Sequence, residues 1–233
     1  MSTFVLVSGA WHGGWCWQRI MPLLQQEAHE VHTPTLTGIS ERAHLISPAV
    51  GLDTHIADIV SYLVAYDLND VILVGHSYAG QVITGVADVV PDRISVRVHL
   101  DAFIGDGRAA VDMQPAEVAH HYREAVEGPG FGWLIPTRPL KKLGVSNQQD
   151  LDWLIPRLTP HPWKTYTDEL PLTGAHERVK GVFIECVDWM RVFQQSRERA
   201  EELGWAVHEI ATGHEAMVTA PSELATLLIE IAT

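Results

Sequence analysis

The feature that most constrains this chain is a short apolar run, Val71-Ile72-Leu73-Val74, leading directly into Gly75-His76-Ser77-Tyr78-Ala79-Gly80. An unbroken run of mostly β-forming residues is the pattern of a strand buried on both faces, as in a parallel sheet covered by helices. The stretch from Tyr78 to Val90 then reads as a helix that stops at Pro91. A serine between small residues on a strand-to-helix turn is the arrangement of a nucleophile elbow, with the hydroxyl presented on a sharp, strained bend. The pattern is G-x-S-x-A-G rather than G-x-S-x-G. What the bend demands two residues after the serine is a small side chain, and Ala79 is one. The motif alone recurs by chance, and a plain strand-to-helix turn would share it. The strand before it and the helix after it give it weight.

The rest of the chain repeats the rhythm. Phe4–Val7, Glu30–Thr33, Ile94–Leu100, Val179–Val187 and Trp205–Ile210 read as further strands. Asp53 looks like an N-cap for a helix with Ile56, Ile59, Val60, Leu63 and Val64 on one stripe. Two more helices follow over 193–203 and 221–232. Alternation of strand and helix implies right-handed crossovers and a doubly wound, mostly parallel sheet of about six strands. From about Gly105 to Ala175 the rhythm fails: the stretch is proline-rich, holds Trp133, Trp153 and Trp163, and has no strong strand. This reads as an insertion on one α/β core rather than a second domain, and a chain of 233 residues suits that size.

A serine hydroxyl needs a base. Thirteen histidines are available, so position must choose among them, and in open α/β sheets function gathers at the carboxyl ends of strands. His214 lies in the loop after the last strand. For the orienting carboxylate, Asp188 at the end of the Val179–Val187 strand is favoured over Asp101 at the end of Ile94–Leu100, because it gives the order nucleophile, acid, histidine on a late strand. The oxyanion is expected to be held by backbone N–H groups of Tyr78 and Ala10, the latter in the turn Gly9-Ala10-Trp11-His12-Gly13-Gly14. That turn lacks G-x-G-x-x-G, and no G-x-x-x-x-G-K-[ST] occurs, which argues against nucleotide binding.

Composition narrows the partners. With 16 Lys and Arg against 29 Asp and Glu, the net charge is −13, which disfavours nucleic acid and anionic membranes. Cys16 and Cys186 cannot build a disulfide framework and suit a reducing compartment. No apolar run approaches a membrane span, and the first residues read as a strand edge rather than a leader. A cytoplasmic protein is the expectation. No H-E-x-x-H occurs, so neither a metal nor a cofactor is expected.

Five stretches carry a resemblance to the α/β-hydrolase superfamily: 6–17, 74–80, 100–103, 213–217, and 36–38 with 41–45. Within it the chain is similar to the branch of plant methylesterases, hydroxynitrile lyases and bacterial esterases such as pyrethroid hydrolases. The resemblance implies a hydrolase core over 1–106 and 176–233 and a helical cap over 107–175 that sits above Ser77. It also implies hydrolysis of a hydrophobic or aromatic carboxylic ester by a catalytic triad, through an acyl-enzyme. Trp11, Phe103, Met217 and, from the cap, Phe131, Trp133, Trp153 and Trp163 are the candidate pocket residues. The expected partner is a small hydrophobic ester, and a homodimer is compatible with this. The chain departs from the family at Ser8, where a histidine is usual, and at Ala79. The lyases have a threonine at the position of Gly9 and a lysine at that of Glu215, so cyanohydrin cleavage is disfavoured. A carbon–carbon lyase or cyclase on the same scaffold, or a low-turnover ligand-binding protein, stay as alternatives.

Overall fold

A computed structural model describes all residues, 1–233. The strands are β1 (Thr3–Val7), β2 (Glu30–His32), β3 (Val71–His76), β4 (Ile94–Leu100), β5 (Leu134–Ile135), β6 (His161–Pro162), β7 (Lys180–Cys186) and β8 (Ala206–Ile210). The helices are α1 (Met21–Gln26), α2 (Leu52–Ala65), α3 (Ala79–Val89), α4 (Ala116–Glu127), α5 (Gln148–Leu154), α6 (Lys164–Thr167), α7 (Gln194–Glu202), α8 (Ala216–Thr219) and α9 (Pro221–Ile231). Six strands form one parallel sheet in the order β2-β1-β3-β4-β7-β8. The six expected strands are all present, and each is in this sheet.

Burial explains the pattern. All six residues of β3 are buried, as the unbroken apolar run requires of a central parallel strand. The edge strand β8 buries only Ile210 fully. Helix α2 turns Ile56, Ile59 and Leu63 inward, while Val64 at the end of the stripe is exposed. Its start corrects one expectation. Gly51, not Asp53, precedes the first turn, and the Leu52 N–H donates to Asp168 Oδ2 at 3.0 Å. The capping carboxylate therefore comes from 116 residues away, held by Lys164 at 2.6 Å, which no local pattern could reveal.

Between β4 and β7 the inserted stretch carries α4, α5 and α6 and a short antiparallel pair, β5 with β6. It is pinned to the carboxyl ends of the sheet strands. Trp11 Nε1–H donates to Ile135 O at 3.2 Å, Thr159 N–H to Trp11 O at 3.2 Å, and His214 N–H to Leu143 O at 2.8 Å. A cleft of about 1080 Å3, lined by Thr3, Asp70, Ser95, Lys180 and Trp205, lies at the other end of the sheet, by the amino ends of the strands.

Candidate active site

The elbow forms because β3 runs into α3 with only Ser77 and Tyr78 between them, and one of the two must reverse the chain's direction. Ser77 is that residue, with φ +56°, a left-handed conformation that is costly for a side chain bearing a Cβ. It is held there on three sides. Ser77 N–H donates to Leu100 O at 3.1 Å, and Ser77 O accepts from Gly80 N–H at 3.1 Å and Phe103 N–H at 3.2 Å. Gly80 is small by necessity, since a Cβ there would stand 1.9 Å from Phe103 O. Ala79 is fully buried and fits without such a clash. Ser77 is half-buried, more open than its neighbours His76 and Tyr78.

His214 is buried in the loop between β8 and α8, and its Nδ1 lies 2.7 Å from Asp101 Oδ2. The same oxygen accepts from Trp189 Nε1–H at 2.8 Å, and Oδ1 from Cys186 N–H at 3.4 Å. Burial pushes the Asp101 carboxyl above the usual carboxylate range, and the His214 and Trp189 hydrogen bonds oppose it. Asp101 has φ +43°, a twist at the end of β4 that turns its side chain across β7 toward the histidine. The sequence preference for Asp188 is therefore corrected in geometry. Asp188 is exposed, and its N–H donates to Thr212 O at 3.0 Å, which ties β7 to β8. Its carboxylate makes no bond to His214.

With Asp101 accepting at Nδ1, that nitrogen carries the proton, and Nε2 is the basic face of the ring. Three rings box the imidazole: Trp189 with centroids 4.4 Å apart, His76 at 4.4 Å and Phe193 stacked at 5.6 Å. Sequence reasoning missed Trp189 and Phe193. The available signal was an aromatic pair just past a strand end that carries a candidate acid.

The loop after β1 packs against the elbow. A Cβ on Gly9 would come within 2.8 Å of Ser77 Cβ and 2.9 Å of His76 Nδ1. Trp11 holds φ +70°, and His12 Nδ1 lies 2.7 Å from Ala10 O. Ser8, where the similar families have histidine, closes the loop from beneath: its hydroxyl donates to Gly13 O at 2.9 Å, with Cys16 Sγ at 3.4 Å. The N–H groups of Ala10 and Tyr78 donate to no protein group. Tyr78 is locked by its ring, which stacks on Tyr166 at 5.2 Å and meets His161 at 4.8 Å. His55 Nε2 faces Thr37 O at 2.9 Å and so must donate, which leaves Nδ1 to accept from the Tyr78 hydroxyl at 3.1 Å.

The candidate pocket residues divide. Trp11, Phe103 and Met217 are buried beside these groups. Trp133 and Trp163 are half-buried and joined by a 2.8 Å bond from Trp163 N–H to Trp133 O. Phe131 is 81% exposed at φ +53°, too open to line a pocket. Trp153 lies against Trp15 and carries the guanidinium groups of Arg19 and Arg157 over its ring, each at 5.1 Å. That packs it on Trp15, next to His12. As for ions, His76, His214 and Glu215 bring potential ligand atoms within 4.8 Å of one another, a set that includes the histidine already bonded to Asp101.

A profile of the alpha/beta hydrolase family matches residues 4–227. The chain is 39% identical, over 97% of each chain, to a carbendazim hydrolyzing esterase of Nocardioides sp. (strain SG-4G). It is 28% identical to methylesterase 10 of Arabidopsis thaliana, over 98% of this chain and 91% of that protein. Among solved structures, an extracellular alpha/beta-hydrolase from a Paenibacillus species superposes with a TM-score of 0.87 at 24% identity, covering 99% of this chain and 98% of the other.

Proposed function

Because the chain belongs to the α/β hydrolase family, we propose that it is a serine esterase that cleaves an uncharged hydrophobic or aromatic ester through an acyl-enzyme on Ser77. The observation that carries this is the convergence of four features at one end of the sheet. They are a strained serine on its elbow, a histidine tethered at Nδ1 to Asp101, and two unspent N–H groups on Ala10 and Tyr78.

His214 Nε2 takes the Ser77 proton as Oγ attacks the ester carbonyl. The N–H groups of Ala10 and Tyr78 receive the oxyanion. His214 returns the proton to the departing alkoxide, which leaves as alcohol. Water then attacks the acyl-enzyme with His214 again as base, releasing the carboxylic acid and restoring the serine. Asp101 holds the imidazole in the productive tautomer and stabilises its cation. Ester hydrolysis agrees with the activities for which the Nocardioides esterase and the Arabidopsis methylesterase are named. The hydrophobic preference rests on the aromatic and apolar surroundings of Ser77, with Trp11, Tyr78, Phe103 and Met217 all buried nearby. Glu215 stands where the lyases carry a lysine, so nothing favours cyanohydrin cleavage.

Fluorophosphonate treatment followed by intact-mass and peptide analysis should place one adduct on Ser77. Ser77→Ala should abolish both labelling and p-nitrophenyl acetate turnover. An unlabelled Ser77 in a folded protein would overturn the proposal in favour of a lyase or a binding protein.

A further inference from the structure

Beneath the oxyanion loop two buried side chains face each other, each with one unpartnered polar atom. His12 and Glu215 are each 1% exposed, and His12 Nε2 lies 3.6 Å from Glu215 Oε2, beyond hydrogen-bond reach. Both atoms lack any hydrogen-bond partner. The other ring nitrogen of His12, Nδ1, sits 2.7 Å from Ala10 O. A carbonyl oxygen only accepts, so Nδ1 must carry a hydrogen. If His12 were neutral its Nε2 would then be a bare lone pair, directed at a buried carboxylate with no donor on either side. That arrangement leaves two buried polar atoms uncompensated.

The surroundings supply no other cation. His12 is the one basic group within ion-pair distance of Glu215. His76 packs nearby, but its Nε2 donates to His214 O at 3.0 Å and its Nδ1 is itself without a partner. Burial, reinforced by His214 and His12, holds His76 well below the usual imidazole value, so it is neutral. Cys16 and Cys186 also feel the Glu215 charge, and burial keeps both as thiols. His214 is committed to Asp101.

We propose that His12 and Glu215 hold one extra proton between them, and that this pair is a positioning device for the oxyanion hole. The proposal rests on the serine-esterase reading above. With the proton on His12, Nδ1–H becomes a charge-assisted donor to Ala10 O, a stronger tether than a neutral imidazole gives. The tethered residue is the one whose N–H is to receive the oxyanion. The acidic partner is the residue immediately after the catalytic base, so loop and base are fastened to one another through a single buried contact. Neither His12 nor Glu215 touches the substrate; both act through Ala10.

Two measurements decide it. Nitrogen-15 histidine spectra and carbon-13 carboxyl spectra of the intact resting protein at pH 7 should show either both His12 ring nitrogens protonated or Glu215 in its acid form. A bare His12 Nε2 together with an ionised Glu215 would overturn the shared proton, whatever the protein catalyses. For the positioning role, Glu215→Gln can still donate to His12 Nε2 but removes the charge, whereas Glu215→Leu removes both. The expected order of kcat is wild type, then Gln lower by about 10-fold, then Leu lower by 100-fold or more, with KM changed less than threefold. Equal kcat in all three, with Ser77 still labelled by fluorophosphonate, would refute the role. Failure of wild-type Ser77 to label would instead refute the esterase reading and leave the proton count to the spectra.

Discussion

His214 Nδ1 and Asp101 Oδ2 lie 2.7 Å apart, although the two residues are separated by 113 positions in the sequence. The same carboxylate is also gripped by Trp189 and by the backbone of Cys186, so its orientation is fixed before any substrate arrives. Asp101→Asn should lower kcat on p-nitrophenyl acetate by about 10^3 to 10^4-fold, because an amide can donate to Nδ1 and stabilise the wrong tautomer. Asp188→Asn, at an exposed position, should stay within about twofold of wild type. The reverse ranking would show that Asp188 is the acid.

Gly9 tests the fit of the oxyanion loop on the elbow. A methyl group there would meet Ser77 Cβ at 2.8 Å and His76 Nδ1 at 2.9 Å. Gly9→Ala should push the loop off the serine and lower kcat by about 100-fold, with the fold retained by circular dichroism. Unimpaired turnover would mean that the loop does not need this close approach.

Gly80 makes a different prediction, about stability rather than rate. Its hydrogen faces Phe103 O, and a Cβ would sit 1.9 Å from that oxygen. Gly80→Ala should cost about 3 kcal/mol in urea unfolding, since the contact is backbone and cannot rotate away. A cost below about 1 kcal/mol would contradict the packing of α3 on the end of β4.

Acid should loosen the protein through its buried histidines. Burial pushes His55 down to about 4 and His99 down to about 3, and holds His76 and His161 well below the usual value. In the unfolded chain these rings take protons near pH 6.5. Between that pH and about 4 the folded state binds fewer protons than the unfolded state. Stability from neutral burial is therefore complete above pH 6.5 and drains away as the pH falls. His55 alone accounts for roughly 3 kcal/mol when the fall is complete. The urea midpoint should be level from pH 7 to 8 and decline steadily below 6.5. An unchanged midpoint at pH 4.5 would rule out neutral burial of these rings.

Much of the site was legible because its chemistry is local. The Val71–Val74 run, the small residues around Ser77 and the break at Pro91 lie within one strand, one turn and one helix, so period and spacing suffice. The carboxylate that pairs with His214 was not legible for a physical reason. Asp101 and Asp188 both follow sheet strands and both fall between serine and histidine in the chain, so order cannot separate them. What separates them is the left-handed backbone of Asp101 and the crossing of its side chain over β7, both products of the assembled sheet. Trp153 escaped for a similar reason, since one of the two guanidinium groups over its ring belongs to Arg19, far away in the chain. The cap of α2 by Asp168 is a third long-range substitution for a local signal.

On the proposed mechanism, Trp11 ties the inserted stretch to the group that would hold the oxyanion. Its ring nitrogen is bonded to Ile135 and its carbonyl to Thr159, while the residue before it, Ala10, is the proposed oxyanion donor. A bulky substrate that wedges this roof upward would drag the electrophilic cradle along with it, so accommodation and reactivity cannot be tuned separately. Altering residues around Ile135 or Thr159 should therefore trade speed for breadth.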